Sequence, residues 1–162
     1  MTRSHDSVEM KIPAKPEYVG VVRLTGSGVA NRIGFNYEDI EDIKVALSEA
    51  CTNAVHHAYE SEENGEISVT FNVYSDRLEM MVADAGRHFD LEQIQKRLGP
   101  LDIDQQNIDN MNEGGLGLFL IDTLMDTVEV ISDSGVVVQM TKYLKRDEVE
   151  ERVDPISAPQ SK

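Results

Sequence analysis

With 162 residues, 40% of them hydrophobic and 28% charged, the chain is long enough for one domain with a buried core and is globular in composition, not disordered. No apolar run approaches the length of a bilayer span and none follows Met1 as a secretory signal; the lone Cys51 excludes an intramolecular disulfide and a cysteine-based zinc cluster, so no membrane is expected and the cytosol is favoured. Thirty acidic residues against 15 Lys and Arg, a net charge of −15, argue against a nucleic-acid partner and would steer a basic protein toward the surface.

Taken in chain order, Val8 to Ile12 alternates and ends at Pro13, which predicts an edge strand. Pro16 suits a first helical turn, and Tyr18, Val19, Val22, Val29 and Ile33 follow at helical spacing, loosened by Gly20, Gly26 and Gly28. A second helix is the clearest element. Asn36 or Asp39 can cap it, and Ile40, Ile43, Leu47, Ala50, Cys51, Ala54 and Ala58 make one apolar stripe. Glu49 lies about 200° round the helix from Leu47, off that stripe. Asn53, His56 and His57 follow at i+4, i+7 and i+8 on the face of Glu49.

Two alternating strands come next, Glu66 to Val73 and Leu78 to Ala83, joined by a turn at Ser75-Asp76; the second runs into Asp84-Ala-Gly86. Asp90 can cap a short helix carrying Leu91, Ile94 and Leu98. The polar stretch from Gly99 to Glu113 has the character of a binding loop. Gly114 to Gly117 then opens a helix with Leu116, Phe119, Leu120 and Leu124 on one side. Val128–Ile131 and Val136–Tyr143 read as two last strands around Asp133-Ser-Gly135, and the charged segment after Arg146 reads as a fraying tail. The pattern is one domain of the α+β class, with helices layered on a mostly antiparallel sheet.

Three short segments carry possible chemistry. A carboxylate such as Glu49 can take the proton of an attacking hydroxyl, and a carboxamide oxygen one turn on, at Asn53, is a hard ligand suited to Mg²⁺. Asp84 at a strand end can accept a hydrogen bond from an amine such as adenine's, and Gly86 lets a base approach the backbone. Gly114, Gly115 and Gly117 before an apolar helix can wrap backbone N–H groups round phosphate oxygens. Each is ordinary taken singly: a polar helix face, a tight turn, a flexible loop. The glycine run is no Walker A, lacking Gly-Lys-Ser/Thr, and no dinucleotide fingerprint, lacking a preceding strand. His56 and His57 invite a metal reading, but H-E-x-x-H is absent and adjacent helical residues diverge by about 100°.

In this order and spacing, Glu49-x-x-x-Asn53, Asp84-x-Gly86 and Gly114-Gly-Leu-Gly117 resemble the N, G1 and G2 boxes of the Bergerat-fold (histidine-kinase-like, GHKL) ATPases and kinases. The run Ser48-Glu-Ala-Cys-Thr-Asn-Ala-Val-His-His-Ala-Tyr59 narrows the likeness to bacterial anti-sigma serine kinases of the anti-sigma-B type, over roughly residues 5 to 145. The resemblance implies a two-layer α/β sandwich at 1–146 with a lid near 87–115, followed by a disordered acidic tail at 147–162. It implies Mg-ATP as cofactor: Glu49 as general base, Asn53 holding Mg²⁺, Asp84 reading adenine, Gly86 shaping the base pocket, and Gly114, Gly115, Leu116 and Gly117 closing over phosphates. It also implies a homodimer that holds a sigma factor and phosphorylates a serine on a STAS-type anti-anti-sigma protein, with Arg23 contacting both partners.

Two departures stand out. His88 occupies the second glycine of the usual D-x-G-x-G, and Val136 follows Gly135 where related chains often have a Thr that supports the adenine contact. Two other readings stay open: a nucleotide-gated binding module with negligible catalysis, and the detached catalytic domain of a histidine kinase. The last is disfavoured, because no helical His-containing segment precedes the domain and His5 sits in a polar start that looks unstructured.

Overall fold

The computed structural model describes residues 5–60, 65–84, 117–132 and 136–145. They run as β1 (Asp6–Pro13), a single 3₁₀ turn (Pro16–Tyr18), α1 (Val19–Ile33), α2 (Tyr37–Glu60), β2 (Glu66–Val73), β3 (Arg77–Asp84), a helix whose described part is 117–124 (α3), β4 (Thr127–Ser132) and β5 (Val136–Tyr143). The five strands form one sheet in the order β1-β2-β3-β5-β4, and every neighbouring pair is antiparallel. This is the expected α+β architecture, two layers deep.

The strand alternation explains the layering. Register aligns Phe71, Met80, Met140 and Val128 across four strands, and Val69, Val82, Val138 and Val130 in the next row. All but the half-buried Val130 are sealed from solvent, because α1 and α2 pack on this face. Two charged residues share these core-facing rows: Asp84, opposite Ile67, and Lys142, opposite Leu78. β1 is the expected edge strand, and its exposed residues leave it paired with β2 alone. His5, read as part of a loose start, instead stacks on Tyr74, with ring centroids 4.5 Å apart.

The helices end where their residues dictate. Pro16 opens the 3₁₀ turn, where its missing N–H costs nothing. Gly34 closes α1 in the left-handed region (φ 112°), and its N–H donates to the Ala30 carbonyl at 3.1 Å. Asn36, not Asp39, caps α2: its Oδ1 accepts the Asp39 N–H at 2.8 Å. Val22 and Ile33 of α1 are buried as expected, but Gly26 and Ala30 complete the buried line and Tyr18 stays exposed. Gly26 loosens nothing; it lets α1 and α2 approach until Leu47 occupies the space a Cβ would take.

α3 departs from expectation. Ile121 and Met125 face the core, with Leu118 and Leu124 packed beside them, whereas Phe119 and Leu120 are exposed. Nearly every residue from 116 to 125 offers an apolar side chain or an Asp or Thr between two such, so two helical stripes compete. The row 118, 121, 125 wins because it follows the helical repeat on the side that meets the sheet.

Candidate active site

α2 presents Glu49 and Asn53 one turn apart, both half-buried, with the exposed His56 three residues further. The decisive neighbour comes from α3. A Cβ on Gly117 would stand 2.9 Å from Glu49 Oε1, 3.3 Å from Asn53 Nδ2 and 3.5 Å from Asn53 Oδ1. The last glycine of Gly114-Gly-Leu-Gly117 thus lodges its backbone against both side chains, so close that an added methyl would push the Glu49 carboxylate aside. Segments more than 60 residues apart in sequence meet here.

The donor set suits Mg²⁺ and phosphate. Asn53 Nδ2 is buried with no hydrogen-bond partner, although a buried polar atom left unpaired costs about 1–3 kcal/mol. A carboxamide N–H with unspent donor capacity, beside a glycine backbone, is completed by a ligand with acceptor oxygens such as a phosphate. The amide oxygen of Asn53 is a hard ligand of the kind Mg²⁺ takes together with phosphate oxygens and water.

Asp84 ends β3 on the helix-facing side of the sheet and is 5% exposed. A carboxylate there can read a donor inserted between the layers. Gly86, His88, Gly114, Gly115, Leu116 and Gly135 lie outside the described residues, as do the Asp90 cap and the loop from Gly99 to Glu113.

Arg23 joins the site by a route that sequence spacing does not show. It lines one groove with Glu41, Lys44, Val45, Ser48 and Glu49, and an adjoining hollow with Pro16, Val19, Gly20, Ser48, Thr52 and Val55. It stands therefore on the same groove as the candidate base. Ser48 borders both hollows, and its buried Oγ has no hydrogen-bond partner. Its place directly before Glu49 was the only sequence signal. Cys51, on the buried side of α2, takes no part in chemistry: burial pushes its thiol up from 9.0 to about 12, so it stays protonated.

Residues 12–142 match the family model of the histidine kinase-like ATPase domain. The chain is 59% identical over 150 residues to the serine-protein kinase RsbW of Bacillus velezensis, covering 93% of each chain. It is 56% identical over 156 residues to that of Halalkalibacterium halodurans, covering 96% of this chain and 94% of the relative. With the Bacillus subtilis RsbW the identity is 55% over 150 residues, again 93% of each. The chain belongs to the RsbW serine-protein kinases of the histidine kinase-like ATPase family. Use of ATP and protein-serine kinase activity go with that membership. In this family member the backbone of Gly117 meets the acid-amide pair of Glu49 and Asn53.

Proposed function

We propose that the chain is an anti-sigma factor that sequesters an alternative sigma factor of RNA polymerase. On this reading it also uses Mg-ATP to phosphorylate a serine on a STAS-type anti-anti-sigma protein, controlling partner switching in a bacterial stress response. The observation that carries this reading is the packing of Gly117 against Glu49 and Asn53.

Bound Mg-ATP supplies the phosphoryl group and the charge neutralisation that its transfer requires. Glu49 takes the proton from the substrate serine as that oxygen attacks the γ-phosphorus, and the bond to ADP, the leaving group, breaks. Asn53 would hold Mg²⁺ through its amide oxygen. Asp84 accepts a hydrogen bond from the adenine amine while Gly86 keeps the base pocket open. Gly114, Gly115, Leu116 and Gly117 offer backbone N–H groups to the phosphates. Arg23, on the groove of Glu49, contacts both protein partners. The working unit is a cytosolic homodimer of the domain at 1–146.

Charge explains the switch. Phosphorylation adds a charge of about −2 to the substrate protein. The kinase carries −15, so the product is repelled and the shared surface passes to the sigma factor. The test is transfer of labelled γ-phosphate from Mg-ATP to a STAS partner in the presence of the sigma factor. Phosphoserine on the STAS protein, with the sigma factor retained afterwards, is expected. Nucleotide-dependent capture of partners with no transfer would instead make the chain a gated binding module, and phosphohistidine would make it a histidine-kinase fragment. Arg23→Ala is expected to weaken both partner complexes while leaving Mg-ATP affinity unchanged.

A further inference from the structure

Lys142 is a charged side chain on the core-facing side of β5, 7% exposed. Its ammonium donates to the Leu124 carbonyl oxygen at 2.7 Å, in the last turn of α3. It also lies 3.8 Å from Asp39 Oδ1 and 3.8 Å from Asp42 Oδ2, in the first turns of α2. Asp39 is 2% exposed, and its Oδ2 has no hydrogen-bond partner. Lys145 approaches the same carboxylate at 3.7 Å from the exposed side.

As a stabilising device this arrangement is poor. Burying each ion costs several kcal/mol, and the attraction repays it only where geometry is close and hydrogen bonds are complete. Here the carboxylates stand at 3.8 Å, and the hydrogen bond of the Lys142 ammonium runs to α3. A cation at a helix C-terminus is well placed against the exposed carbonyls of the last turn. The clip is better explained by what it positions.

Its two ends answer that. The C-terminal end of α3 sits at Lys142, beside Asp39 and Asp42. The first described residue of α3, Gly117, sits at Glu49 and Asn53, some three turns further along α2. α3 therefore runs antiparallel to α2 and is held at both ends. The connection behind it is fixed too: the Asp126 N–H donates to the Thr141 carbonyl at 3.0 Å, and the Tyr143 N–H to Asp126 Oδ2 at 2.6 Å.

We propose that Lys142 is a positioning residue: by fastening the C-terminal end of α3 to the first turns of α2, it sets where Gly117 stands against Glu49 and Asn53, and through that the affinity for Mg-ATP. The proposal rests on the nucleotide reading of that site. Lys142 touches no ligand in this scheme, and the Asp39 carboxylate serves as its counter-charge.

Lys142→Met alone leaves the buried Asp39 carboxylate to the exposed Lys145 at 3.7 Å, without its buried counter-charge, and can cost the fold. The test therefore uses the double variant Asp39→Asn/Lys142→Met, which removes both charges. Met10→Ala in β1, packed against the core far from α3, serves as a stability control. Calorimetry reads Mg-ATP affinity, a melting curve reads the apo fold, and hydrogen exchange reads the amides of 117–121. The double variant is expected to bind Mg-ATP about tenfold more weakly or worse, since a small misplacement set far from a site is felt there. Its 117–121 amides should exchange faster than wild type while those of β2 and β3 do not. The control should bind within about twofold of wild type. Wild-type affinity in the double variant, or an equal loss in the control at the same melting temperature, would overturn the proposal. Failure of the wild type itself to bind Mg-ATP would sink the nucleotide reading instead, and the exchange data would still report whether α3 is fastened by Lys142.

Discussion

Gly117 is the residue on which the site closes, and it can be tested alone. In Gly117→Ala the new Cβ would stand 2.9 Å from Glu49 Oε1 and 3.3 Å from Asn53 Nδ2, so both side chains must give way. Mg-ATP affinity should fall by about tenfold or more, measured by calorimetry. Cys51 makes a separate prediction. Its native thiol should resist alkylation just below pH 9.0 and react once the chain is unfolded, because burial holds its pKa near 12. The sign of the linkage follows: the folded value lies above the ordinary one, so the contribution to stability is whole below pH 9.0 and is lost as pH rises to about 12. The melting temperature should fall across that window, and less so in Cys51→Ala. At this scale the sequence was legible where neighbours lie along one helix, as Glu49 and Asn53 do on α2. It was silent where chemistry needs a partner from elsewhere: nothing in the spacing of Lys142, Ser48 or Arg23 shows which helix each one meets.

Among the elements, α1 separates two uses of glycine. A methyl at Gly26 would overlap Leu47, which is itself fully buried and has nowhere to move. Gly26→Ala should therefore cost about 1–3 kcal/mol in denaturant unfolding. A methyl at Gly28 meets nothing within 4 Å, and Gly28→Ala should stabilise by up to about 1 kcal/mol through helix propensity. Sequence reading treats both glycines alike because propensity is local, whereas close approach of two helices is tertiary. The same limit misplaced Phe119 and Leu120, since a helix apolar on several sides does not announce which stripe the sheet will cover. α2, with polar residues opposite its stripe, left no such ambiguity, and β2 and β3 were legible through their strict alternation.

At the scale of the whole molecule, two hairpins were readable but their assembly was not. β5 inserts between β3 and β4, so the last hairpin joins the sheet through its second strand. That places Lys142 opposite Leu78 and over the helix layer, a consequence of register invisible in local pattern. The excess of acid is the other global property: with 30 acidic residues against 15 Lys and Arg, the proposed phosphate chemistry would draw its cationic help from Mg²⁺ and backbone N–H groups. The central claim is that this fold makes Glu49 the base of a Mg-ATP-dependent serine kinase. The most direct measurement is single-turnover phosphoryl transfer to a STAS-type substrate from preloaded Mg-ATP, comparing wild type with Glu49→Gln. The account predicts unchanged Mg-ATP affinity and a transfer rate lower by a factor on the order of 10² or more in the variant. Equal rates from the two proteins would contradict it.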